Sequence, residues 1–124
     1  MATDLEVTMA GGPGTLAKVA QSLGAAGVNL DGFCGMETGG RGIGHFLVED
    51  APEARRAIEQ VGGTVAAERD AVVVEAEDRP GELGKVAGKV AAAGVNIMAA
   101  YVATNSRIVI VADDAAQVRS ALGR

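Results

Sequence analysis

The sequence predicts an α+β chain built twice on one plan, and three observations predict it. Apolar residues switch along the chain between the period of two that marks strands and the 3.6 that marks helices. The stretch GGPGTLAKVAQSLGAAGVNL, from Gly11 to Leu30, returns without a gap as DRPGELGKVAGKVAAAGVNI, from Asp78 to Ile97. Each copy is followed by two strand-like runs separated by turn residues, the pattern of a hairpin. A repeat of this length is one supersecondary unit used twice.

The elements follow in order. Leu5, Val7 and Met9 alternate with polar residues as a first strand, and Val72-Val73-Val74 opens the second copy. A Pro-Gly step then starts a helix, with Pro13 and Pro80 expected in the first turn, where a missing N–H costs nothing. Leu16, Val19, Ala20 and Leu23 stand at i, i+3, i+4 and i+7, as do Leu83, Val86, Ala87 and Val90. Those are the buried stripes; Lys18, Gln21, Lys85 and Lys89 face away. Gly27 and Gly94 fall where a helix ends in a left-handed cap. A strand is expected from Val28, and from Val95 in the second copy. The first hairpin turns through Gly39-Gly40 and returns as GIGHFLV; the second turns at Thr104-Asn105-Ser106 and returns as RIVIVA. APEARRAIEQV and DAAQVRSAL are second helices, and TVAAE closes the first copy as a strand.

The order β-α-β-β-α-β is ferredoxin-like: a four-stranded antiparallel sheet with two helices on one face. The plan divides the chain into units 1–69 and 70–124, the second without its last strand. AVVVEA, IMAAYVA and IVIVA are apolar on both alternating faces, whereas a sheet with one wet face alternates. The face away from the helices is therefore expected to be covered, either by the other copy or by a second chain. Each unit alone is small for a self-sufficient core, which favours an oligomer.

Composition narrows the function. Of 124 residues 48% are apolar and 2% aromatic, so the core is built from Val, Ala, Leu and Ile. A net charge of −5 and few aromatic rings argue against nucleic acid, which needs a basic stripe and stacking platforms. Arg55-Arg56 sits among acids and reads as a solvated helix face. Cys34 is the single cysteine, which fits a reducing compartment. The amino-terminal stretch MATDLEVTMA has no signal-peptide pattern, and no apolar run approaches the roughly 20 residues of a membrane helix. A soluble, cytoplasmic protein is expected, with no membrane partner.

Catalytic patterns are weak. His45 is the single histidine, and Cys34 with His45 lacks a group to orient it as a nucleophile–base pair. No spacing forms a metal site. GGRGIG, from Gly39 to Gly44, lies in a hairpin rather than between strand and helix, so it is no nucleotide fingerprint; it reads as a long flexible tip. No cofactor is implied, and the chain is not expected to be an enzyme.

Pro-Gly-x-Leu, an amphipathic helix and Gly-Val-Asn-Ile/Leu together resemble the ACT domain family of small-molecule-binding regulatory modules, across the chain as a tandem pair. The resemblance implies a non-catalytic sensor that binds an amino acid at an interface between paired units, works as a homodimer, and reports to a partner enzyme of amino-acid biosynthesis. It carries the ligand loop onto Asp78, Arg79, Pro80, Gly81, Glu82 and Leu83, with Asn96 at the strand start. In the first copy the matching positions are Gly11, Gly12, Pro13, Gly14, Thr15 and Leu16, with Asn29. Asn29 to Asp31 resembles the strand start of aspartate kinase regulatory units, where the acid contacts ligand. The physics agrees: a helix N-terminus offers free N–H groups to a carboxylate, and a carboxylate such as Asp31 or Asp78 suits an ammonium. The copies differ. Gly11 replaces Asp78 in the first and Met98 replaces Asp31 in the second, so one site is degenerate or one composite site draws on both. The alternative is a regulatory or structural subunit that no longer responds to ligand.

Overall fold

The computed structural model describes residues 2–124. The chain begins with strand β1 (Thr3–Ala10), helix α1 (Thr15–Ala25), strands β2 (Gly32–Thr38) and β3 (Arg41–Val48), helix α2 (Ala51–Gln60) and strand β4 (Thr64–Asp70). It continues as β5 (Val72–Val74), α3 (Glu82–Ala92), β6 (Ala99–Val102), β7 (Ile108–Val111) and α4 (Ala115–Ala121), with a short 3-10 turn at Thr104–Ser106. The strands form two antiparallel sheets, ordered β2-β3-β1-β4 and β5-β7-β6. The first run is βαββαβ, as its periodicity predicts.

Three apolar clusters hold the layers together. Leu5, Val7, Phe46 and Val48 of the first sheet pack under Val19, Leu23 and Ile58 of α1 and α2. Val72, Val74, Ile108 and Ile110 of the second pack under Val86, Val90 and Val118 of α3 and α4. The third cluster has no helical residue: Leu47, Ala71, Tyr101, Ala103, Val109 and Val111 meet between the sheets. The order is therefore helices, sheet, sheet, helices. This resolves the question of the two-sided apolar strands, because each sheet covers the helix-free face of the other. No loose linker joins them. Ala71 alone separates β4 from β5, is buried, and donates its N–H to the Ala2 carbonyl at 3.2 Å.

Several local expectations shift. Pro13 and Pro80 stand one residue ahead of the helix cap rather than in the first turn. Gly14 and Gly81 are the caps, at φ 90° and 91°. That left-handed conformation is why glycine follows proline here. Gly39 and Gly40, at φ 58° and 78°, close a two-residue hairpin, so the tip is tight and not long, and residues 41–44 belong to β3. The strands after α1 and α3 begin at Gly32 and Ala99, four residues later than the apolar pattern indicates.

Candidate functional site

The first helix-start loop, Gly11 to Leu16, forms one wall of an open hollow of about 230 Å³. Met9, Leu16, Phe33, Met36 and Ile43 give it an apolar lining, and Glu37 stands in its wall. The sequence shapes it locally. Gly11 presses its backbone against the β2–β3 turn, donating to the Gly40 carbonyl at 3.1 Å. A Cβ there would fall 2.3 Å from that oxygen, so Gly11 is needed for the close approach. No side chain caps α1 at this end, and by helix geometry its first N–H groups have no intrahelical acceptor. Leu16 and Met36 are 47% and 63% exposed, unusual for side chains of this size around one hollow.

Asn29 and Asp31 are elsewhere. They lie at the far end of α1, about 16 Å away for an 11-residue helix, in a second hollow with Glu49, Asp50 and Glu53. The Asn29 amide donates to Asp31 Oδ1 at 2.8 Å. The Asp31 carbonyl accepts from the Thr104 N–H of the second sheet's hairpin at 3.0 Å. The structure thus brings Gly11, Gly12, Thr15 and Leu16 together, and Asn29 with Asp31, but does not bring the two groups to one hollow.

The second helix-start loop behaves differently. Arg79 and Glu82 line a hollow of about 390 Å³ beside β5, with Glu75, Glu77, Lys85 and Lys89. Arg79 spans Glu77 and Glu82 at 2.8 Å each, so much of the loop's charge is satisfied within the loop. Asp78, Pro80, Gly81, Leu83 and Asn96 are exposed. The loop with the acidic residue is therefore the more self-paired, and the uncharged loop borders the apolar hollow.

One constellation had no clear signal in the sequence. Cys34 lies opposite His45 across β2 and β3. His45 Nδ1 lies 2.9 Å from Asp4 Oδ2, and the Tyr101 hydroxyl donates to Asp4 Oδ1 at 2.6 Å. Asp4 is the fully buried acid at the centre. The hydrogen bond to Asp4 raises the His45 pKa above 6.5, against the lowering effect of burial. Burial first, then the bond to Asp4, raises that of Tyr101. None of the three hollows just described is lined by these residues. The carboxylate that would orient His45 is 41 residues away in sequence, which is why residue spacing does not reveal it.

The fold defines a class: a small α+β protein of two antiparallel sheets, each covered on its outer face by helices. Residues 71–124 match the model of the ACT domain family. Among solved structures, a protein from Bacteroides thetaiotaomicron is 27% identical, with 98% of this chain and 85% of that one covered at a TM-score of 0.82. The regulatory subunit of aspartate kinase from Thermus flavus is 24% identical, covering 98% and 91%, at 0.71. That from Thermus thermophilus, in its ligand-free form, is 23% identical over the same shares, at 0.68. These last two likenesses establish the fold. No curated protein matches the sequence.

Proposed function

We propose that the chain is a non-catalytic, amino-acid-binding regulatory protein made of two ACT units in tandem, residues 1–69 and 70–124. The observation that carries this reading is the uncapped start of α1 opening on the apolar hollow. Its parts match the parts of an amino acid. The free N–H groups of the first turn suit the carboxylate, Glu37 suits the ammonium, and Met9, Leu16, Phe33, Met36 and Ile43 suit an apolar side chain. Asn29 and Asp31 reach the same ligand only from another unit, since α1 holds them away from their own loop. That favours a site completed across an interface, as the family resemblance implies. Exposed Phe33, Met36, Met98 and Val102 on or beside the edge strands β2 and β6 support a homodimer. The aspartate kinase regulatory subunits among the structural neighbours support an enzyme of amino-acid biosynthesis as the partner. No helix among the described residues is long and apolar enough to cross a membrane.

Isothermal titration against the twenty amino acids tests the reading. Heat is expected from ligands with apolar side chains, and Leu16→Lys should abolish it by placing an ammonium in the hollow. No heat from any of the twenty at millimolar concentration would overturn it. A second reading, a subunit that no longer responds to ligand, is favoured for the second unit by the Arg79 ion pairs that occupy its loop. Substitutions at Asp78 or Glu82 that leave the heat unchanged would assign binding to the first unit alone.

A further inference from the structure

We propose that Asp4, His45 and Tyr101 form a protonation-dependent joint that locks the first sheet onto the second. Asp4 is 0% exposed and spends its two oxygens in different directions. Oδ2 faces His45 on β3 of its own sheet at 2.9 Å; Oδ1 takes the Tyr101 hydroxyl from β6 of the other sheet at 2.6 Å. The apolar cluster of Leu47, Val109 and Val111 lies in the same interface. A carboxylate with no countercharge is costly there, and a proton on His45 supplies the countercharge.

The groups facing His45 favour that proton. On β1, Asp4 and Glu6 raise its affinity; on β4, Arg69 lowers it but is itself held by Glu6 at 3.0 Å. Cys34 on β2 and Tyr101 on β6 complete the surroundings. The sign follows from linkage. A histidine whose folded pKa lies above 6.5 adds stability that is fully present below 6.5 and is lost as pH rises through the folded value. Without its proton His45 still donates Nδ1–H to Asp4, but the buried charge is no longer balanced. Contacts between the sheets then slacken before either apolar core does. A backbone contact between the halves that reports on this is the Thr104 N–H on the Asp31 carbonyl, 3.0 Å, beside the Gly32–Ala103 bridge.

The chain's single histidine and single tyrosine make the joint directly observable. NMR titration of the His45 ring in the native protein should give a pKa above 6.5. Amide-exchange protection at Thr104 should fall as pH rises from below 6.5 through the His45 value found in that titration, while that at Phe46, in the first core, holds. His45→Gln should remove the pH dependence at Thr104, and Tyr101→Phe should lower protection there at every pH. A ring pKa at or below 6.5, equal pH slopes for wild type and His45→Gln, or parallel loss at Thr104 and Phe46 would each overturn the joint. The titration uses the unaltered chain, so it decides even if His45→Gln does not fold.

Discussion

Gly32 shows how one residue sets the approach of the two sheets. A Cβ built on it would lie 2.9 Å from the Ala103 Cβ and 3.2 Å from the Tyr101 ring, and Ala103 is tied to its backbone and cannot swing away. Gly32→Ala is therefore expected to destabilise the fold by about 1–3 kcal/mol, the range for forcing an extra carbon into a packed site. Gly24 is the opposite case: it sits inside α1, exposed, and a Cβ added there would meet nothing within 4 Å. Gly24→Ala should stabilise by roughly 0.5–1 kcal/mol by restricting the unfolded chain and favouring helix. Urea melts of the two variants beside wild type check both signs. The sequence distinguishes such glycines unevenly. Gly14 and Gly81 are marked by the proline before them and by their repetition. Gly32 has no such mark, because its constraint comes from Ala103 on another sheet. Asp4 is illegible for the same reason: its partners are 41 and 97 residues away.

At the scale of elements, the four helices start in two ways. α2 and α4 have acidic caps: Asp50 Oδ1 accepts from the Glu53 N–H and Asp114 Oδ1 from the Gln117 N–H, both at 3.1 Å. α1 and α3 start from left-handed glycines with no side-chain cap. The difference separates helices that only pack from helices whose start is left open. Asp50→Ala and Asp114→Ala should each cost about 1 kcal/mol, the usual worth of such a cap, read as a lower urea midpoint. A capping side chain at Gly14 would be strained, because that residue sits at φ 90°. The element order and the second hairpin's turn were legible because period and turn residues are local signals. The starts of β2 and β6 were not. Val28 and Val95 continue the apolar pattern of a strand, yet each packs as partly buried filling against its own core before the ladder begins.

At the scale of the molecule, the interface between the sheets decides whether the two halves are independent. Small units are marginal alone, and here each half buries its second sheet face only against the other. The joining cluster contains Leu47 from the first half and Val109 and Val111 from the second, all at most 1% exposed. The chain crosses between sheets through one buried residue, Ala71, with no linker to let the halves separate while folded. A single unfolding transition is therefore expected, with signals from Phe46 in the first core and Ile110 in the second lost at the same urea concentration. Leu47→Ala removes side-chain carbons from the shared face rather than from either helix-covered core. It should cost about 2–5 kcal/mol, as for other buried large-to-small changes, and lower the midpoint of both signals together. If the Phe46 signal moved and the Ile110 signal did not, the halves would be separate folding units that merely touch. The site proposed at the first loop would then have to work without mechanical support from the second half.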